Sequence, residues 1–243
     1  MHKKLPGIKF SGQFFLVAEM RNKNYFAGQM SLYISFFCVV IAFLASLALF
    51  TQRPSDIYLR LFPYFNLTVA ILLGITSYQA FHKVNNTLLF NPLTILQNCF
   101  YFFILYRIIH HPIVRKIALH LMWIYPVIAY TNILLFQAPG HFHTITFALG
   151  GLLVAALCVF YFFELFQRPQ TVSLTRNPDF WICSGLLFYY SCSFPIYGMA
   201  NNLTSLPRFI VFNFNSILNL LDILLYTSFV IAFLCRLRIR KSS

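Results

Sequence analysis

Apolar residues fill seven stretches of this chain between about Leu32 and Leu234, and charged residues almost never interrupt them. A bilayer hydrocarbon core about 30 Å thick takes roughly 20 helical residues to cross. The pattern therefore predicts an all-α fold, an integral membrane bundle of seven transmembrane helices. The expected spans run near Ser31–Phe50, Leu61–Phe81, Asn91–Ile109, Ile117–Phe136, Phe142–Phe166, Asn177–Met199 and Phe209–Cys235. Punctuation supports these limits. Gln52-Arg53-Pro54, His82-Lys83 and Ala138-Pro139-Gly140 follow apolar runs. Asn91-Pro92 and Asn177-Pro178-Asp179 read as a capping side chain with proline in the first turn.

The expected organisation is a basic N-terminal tail over residues 1–29, a transmembrane domain over 30–236 and a basic cytoplasmic tail over 237–243. The tail has no apolar core followed by a small-residue cleavage site, so the first span would act as an uncleaved signal. Met30 stands directly before that span, and initiation there is the alternative reading of residues 1–29.

Composition agrees with a lipid solvent. The chain is 59% hydrophobic and 9% charged, with 30 Phe, whereas soluble domains carry about 25% charged residues. The net charge of +13 does not point to nucleic acid, because the basic residues sit in short segments between spans rather than on one solvated face. Arg53, Arg60, Arg107, Arg115, Lys116, Arg168, Arg176, Arg236, Arg238, Arg240 and Lys241 fall on one side; Lys3, Lys4, Lys9, Arg21, Lys23, Lys83 and Arg208 fall on the other. Lys3, Lys4 and Lys9 lie far from the first span and weigh little. The N-terminus is expected outside and the C-terminus in the cytoplasm. Membrane lipid is the expected surrounding; His110-His111, beside Arg107, Arg115 and Lys116, suit anionic headgroups. The oligomeric state is open.

One acid lies deep in a span: Asp222, near the middle of the seventh. A charge there costs at least about 2.5–3.5 kcal/mol, so the residue must face protein or water. Asn215 and Asn219 share its helix face, with Asn213 and Ser216 beside them. Two readings of this stripe stand together: a ligand, ion or proton site, and interhelical hydrogen bonding. Gln97 and Asn98 in the third span are its leading candidate partners. Asn66, Thr68, Ser77, Gln79, His120, Tyr130, Thr131, Asn132, Tyr189, Tyr190, Ser191 and Ser193 are further ones.

Other groups read as structural. Ala42 and Ser46, Ala70 and Gly74, and Ala148, Gly151 and Ala155 are spaced to let helices approach closely. Pro126 and Pro195 fall within spans and should bend them. Glu164 and Arg168 form an i, i+4 pair. The six cysteines lie in or at the ends of apolar runs without a CxxC pair, which suits small buried hydrophobes. His141-Phe142-His143 lacks Cys, Asp or Glu neighbours for a metal site, and no metal or cofactor is expected. His82, His141 and His143 are expected outside.

Several chemistries lack their residues. The seventh span has no lysine for a retinal Schiff base and no histidines for a ceramidase-type metal site. Cys183-Ser184-Gly185 lacks the rhomboid Gly-x-Ser-Gly setting. Walker and Rossmann glycine patterns are absent, as are the receptor NPxxY and Asp-Arg-Tyr elements. No enzyme is expected.

Asn177-Pro178-Asp179-Phe180-Trp181-Ile182 followed by Gly185-Leu186-Leu187-Phe188-Tyr189, together with Asn85-Asn86 and the Asn219…Asp222…Tyr226 run, resembles a group of uncharacterised bacterial seven-helix inner-membrane proteins. Some similar modules precede sensor histidine kinases. The resemblance implies a sensory or signal-relay module of the bacterial inner membrane. No kinase segment follows the last span here, so a separate cytoplasmic signalling protein is the expected partner. The rival readings are a small transporter or proton-coupled carrier using Asp222, a lipid-acting membrane enzyme, and a structural membrane subunit.

Overall fold

A backbone in hydrocarbon finds no water to satisfy its N–H and C=O groups, and the α-helix pairs all of them within one segment. The computed structural model describes residues 24–49, 56–82, 84–137, 142–167, 174–198 and 208–241. Seven α-helices account for most of them: α1 (Asn24–Leu47), α2 (Ile57–Phe81), α3 (Thr87–Ile108), α4 (Pro112–Asn132), α5 (Thr144–Gln167), α6 (Pro178–Gly198) and α7 (Arg208–Lys241). No strand occurs among the described residues. A π-helical turn, Ile133–Gln137, prolongs α4, and a 3₁₀ turn, Leu174–Arg176, leads into α6.

Among the described residues five segments are long and apolar enough to cross a membrane: Ile57–Gln79, Thr87–Ile108, Pro112–Phe136, Thr144–Gln167 and Ser216–Cys235. The architecture is that of a multi-pass membrane protein. The expectation of seven such spans is met by five among the described residues. The described apolar part of α1, Ile34–Leu47, is short. The helix α6 spends part of its length on Asp179, serines and three tyrosines.

Several boundaries differ from expectation. Helix α1 begins at Asn24, inside the expected tail, while residues 1–23 and His141 lie outside the described residues. Helix α3 begins at Thr87, so Asn91-Pro92 sits inside it rather than capping it. The helix starts there because Asn85 Oδ1 accepts the Thr87 N–H at 3.0 Å, an early cap that tertiary contact reinforces: Asn86 Nδ2 donates to the Thr76 carbonyl of α2 at 3.3 Å. The cap of α6 is as expected. Asn177 Oδ1 accepts the Asp179 N–H at 2.9 Å, with Pro178 as the first helical residue. Helices α4 and α6 continue through Pro126 and Pro195.

The helices pack as a ring. Helix α1 lies between α2 and α7, α7 against α6, α6 against α5, and α3 against α2, α4 and α5. Side-chain ties mark one end of the bundle. The Tyr58 hydroxyl at the start of α2 donates to Asp179 at the start of α6. The His110 N–H after α3 donates to Glu164 Oε2 near the end of α5 at 3.1 Å. Cys235 Sγ, far along α7, and Trp181 Nε1 both donate to the Thr175 carbonyl, at 3.2 and 2.9 Å. Glu164 thus serves the end of α3; its expected partner Arg168 lies outside the described residues.

Phenylalanine fills the interior. Phe62 meets Phe100, Phe229 and Phe233 edge-on with ring centroids 5.1–5.3 Å apart. Phe65 stacks on Phe100 at 3.9 Å. These contacts join α2, α3 and α7, with the edge-to-face and offset geometries that aromatic quadrupoles favour. The outer surface is equally apolar: Ile41, Leu44, Ile71, Trp123, Val127, Leu152, Val159 and Phe163 are exposed. Helix α4 is the least enclosed, and its Leu134, Leu135 and Phe136 face outward. A soluble protein of this size could not carry such a surface; lipid tails solvate it at no cost.

The small residues work as expected at some positions. Ala42 and Ala70 are buried, and Asn66 Nδ2 reaches the Ala42 carbonyl across the α1–α2 contact at 3.4 Å. One of the two tightest glycine approaches is one the spacing did not single out. A Cβ on Gly185 of α6 would stand 2.7 Å from Ser228 Cβ on α7, an atom held by the α7 backbone. Gly185→Ala should therefore destabilise the bundle by about 1–3 kcal/mol, the range for overpacking a filled contact. Reversible unfolding in mixed micelles checks it; unchanged stability would show that α6 and α7 are not packed this closely.

Candidate functional site

Asp222 opens into a small internal cavity. The volume open to the centres of water-sized spheres is about 40 Å³, where one water requires about 10–15 Å³. Six helices contribute to its wall: α1 gives Ser35; α2, Leu73; α3, Phe90, Thr94, Gln97 and Tyr101; α5, Phe147; α6, Tyr189, Tyr190 and Tyr197; α7, Asp222, Leu225 and Tyr226. These positions fall late in α2, in the second half of α6, early in α5, from the start to past the middle of α3 and around the middle of α7. The cavity thus lies in the half of the bundle away from the Tyr58–Asp179 tie.

Three helices meet at the carboxylate. Ser35 Oγ of α1 lies 2.7 Å from Asp222 Oδ2 and 3.4 Å from Asn219 Oδ1. A hydroxyl has one proton to donate, and the shorter contact takes it. Tyr189 of α6 stands on the wall of the same cavity. Asn219 and Asp222 are three residues apart on α7, so both can face one Ser35 hydroxyl.

The cavity wall is otherwise aromatic. Tyr101 and Tyr190 meet edge-on across α3 and α6 at 5.8 Å, Tyr189 and Tyr190 at 5.0 Å, and Phe147 and Tyr197 across α5 and α6 at 4.4 Å. Glycine makes room for one of them: a Cβ on Gly151 of α5 would come within 2.8 Å of the Tyr190 ring. No Lys, Arg or His lines the cavity among the described residues.

A second polar cluster adjoins the first through Thr94. His143, just before α5, is fully buried. Its Nε2 lies 2.7 Å from Thr94 Oγ1 and its Nδ1 2.9 Å from Thr146 Oγ1. Thr94 Oγ1 is also 2.9 Å from the Asn91 carbonyl, and Asn132 Nδ2 reaches Thr146 Oγ1 at 3.5 Å. One proton arrangement satisfies all four. Asn132 donates to Thr146, Thr146 to His143 Nδ1, His143 Nε2–H to Thr94, and Thr94 to the Asn91 carbonyl. The same cluster holds Asn98, whose Nδ2 lies 3.1 Å from both the Tyr125 hydroxyl and the Thr94 carbonyl. The Tyr125 hydroxyl in turn donates to the Thr146 carbonyl at 3.2 Å.

The structure thus separates the two leading candidate partners of the stripe. Gln97 lines the Asp222 cavity, whereas Asn98 turns toward α4 and α5. Adjacent residues point about 100° apart on a helix, so one pair of neighbours serves two sites. Asn219 joins Asp222; the side chain of Asn215 lies outside the described residues, though its backbone belongs to α7. Of the further candidates, Tyr189 and Tyr190 reach the cavity. Asn66 bonds α1, and Thr68, His120 and Thr131 bond carbonyls of their own helices. His143, expected on the outer side of the membrane, is buried within the protein, where the Thr94 and Thr146 hydroxyls solvate both ring nitrogens.

Sequence reasoning missed Ser35, Thr94, Tyr101, Tyr197 and Phe147. Each is an isolated residue on an apolar helix, and nothing local marks which face turns inward. Among the described residues no three His, Cys, Asp or Glu side chains meet as a metal site. Comparison with known proteins adds no relative: no family model, no curated protein and no solved structure matches this chain.

Ser35 and Asp222 should behave as a coupled pair. In a double-mutant cycle of Ser35→Ala and Asp222→Asn, the interaction energy is expected to be about 0.6–1.7 kcal/mol, the range of hydrogen bonds between membrane helices. Unfolding measurements on the four proteins give the value; additive effects would remove the contact.

Proposed function

We propose that this protein is a sensory or signal-relay module of a bacterial inner membrane, with no catalytic step of its own and a separate cytoplasmic signalling partner. The observation that carries the reading is the three-helix joint at Asp222. Ser35 of α1 bonds its carboxylate, and Tyr189 of α6 lines the same cavity. Anything that enters the cavity, takes the Ser35 bond and displaces Tyr189 changes how α1 and α6 hold α7.

The length of α7 supports transmission. Its 34 residues span about 51 Å at 1.5 Å per residue, against a hydrocarbon core of about 30 Å. The helix runs unbroken from Asp222 to Lys241, so a tilt or rotation at the joint is carried about 28 Å along one rigid rod. That end is rich in Arg and Lys, which supports a cytoplasmic C-terminus and an outside N-terminus. All seven helices would then cross the bilayer, with α6 shielded by its neighbours where it is polar. The resemblance to modules that precede sensor kinases agrees with this arrangement.

A proton-coupled carrier is the second reading. A lone acid lining a water-sized cavity favours it, since such groups mark ion and proton paths in membranes.

Two outcomes are expected. A fluorescent-protein fusion after Ser243 should be active in the cytoplasm of a bacterial host, and an exported-phosphatase fusion there should be inactive; the reverse result would invert the topology. In lipid nanodiscs, Asp222→Asn should alter hydrogen exchange both around Ser35 and over residues 236–241. Exchange that changes around Ser35 alone would sink the relay.

A further inference from the structure

We propose that the Asp222 cavity is a binding site for a small primary ammonium ion, of the size of methylammonium or ethanolamine. The inference deepens the relay reading and rests on it for its consequence, since it names the ligand of the same site.

The first argument is charge. A carboxylate that leaves water needs a compensating partner, and Asp222 receives a hydrogen bond from Ser35. That hydroxyl donates to it, as suits an anion, but carries no positive charge. No basic side chain lines the cavity among the described residues, and the nearest imidazole, that of His143, has both nitrogens occupied by threonine hydroxyls. A ligand cation supplies what the chain does not.

The second argument is the wall. Tyr101, Tyr189, Tyr190, Tyr197, Tyr226 and Phe147 surround the carboxylate. Aromatic rings attract an ammonium through their quadrupole, while a hard metal ion requires a shell of six or more oxygens in the usual case. This wall brings one carboxylate and seven aromatic rings to the cavity. Gln97 and Thr94 stand where a second N–H or a hydroxyl of the ligand can bond.

The third argument is size. A volume of about 40 Å³ for water centres holds about three or four water-sized groups. Methylammonium and ethanolamine fit within that limit. Tetramethylammonium exceeds it and cannot donate a hydrogen bond to Asp222.

The test uses the full chain in nanodiscs and isothermal titration calorimetry with four chloride salts: methylammonium, ethanolamine, tetramethylammonium and sodium. The first two should bind and the last two should not. Asp222→Asn should bind methylammonium at least about tenfold more weakly, as expected when one member of a buried charge pair is removed. The size series in the unaltered protein stands even if that variant does not fold. Absence of heat with both primary ammonium ions would overturn the proposal. So would equal binding of tetramethylammonium, and so would a response to sodium alone, which would make this a metal-ion site. Hydrogen exchange separates the two claims. Ammonium binding that leaves residues 236–241 unchanged keeps the site and removes the relay. A response there to Asp222→Asn without ammonium binding keeps the relay and removes the site.

Discussion

Polar groups that enter a bilayer must be solvated by the protein itself, and this bundle is organised around that need. Backbone groups are satisfied within each helix. Several side-chain groups are not, and they reach across helices to one another. Asp222 draws Ser35 from α1. His143 draws Thr94 from α3 and uses Thr146 in the first turn of α5. Asn98 and Tyr125 join α3 to α4. Each bond fixes the rotation of two helices at once, which apolar packing alone, being non-directional, does poorly.

The two ends of the bundle are held by different means. At one end, bonds near helix termini do the work: Tyr58 to Asp179, His110 to Glu164, Cys235 and Trp181 to the Thr175 carbonyl. In the opposite half the helices surround a cavity lined by aromatic rings. Phe142, Phe147 and Tyr197 pack together there, with centroids 4.4–5.6 Å apart. A bundle pinned at one end and lined by rings around an acid at the other is suited to small rearrangement around the cavity. This asymmetry underlies both the relay reading and its ligand.

The two polar clusters share Thr94. It lines the Asp222 cavity and also accepts from the buried imidazole. Its own proton is committed to the Asn91 carbonyl. Occupants of the cavity therefore meet a threonine oxygen whose orientation is set from the far side by His143. The arrangement ties α5 to the site although α5 contributes only Phe147 to its wall.

The alternation of long apolar runs with short basic segments was sufficient by itself for the helical class, the approximate position of every helix and the singling out of Asp222. Those features depend on solvation and on spacing along one helix, which are local properties. The α6 cap at Asn177 was legible for the same reason, because capping involves neighbours two or three residues apart. The start of α3 was not, since Asn86 is drawn to the Thr76 carbonyl of another helix and this outweighed the Asn91-Pro92 pattern. Nor could the chain alone part Gln97 from Asn98, bury His143 or bring Ser35 to Asp222. Those outcomes depend on how seven helices rotate against one another, and helices that are apolar on every side carry almost no record of which face turns inward.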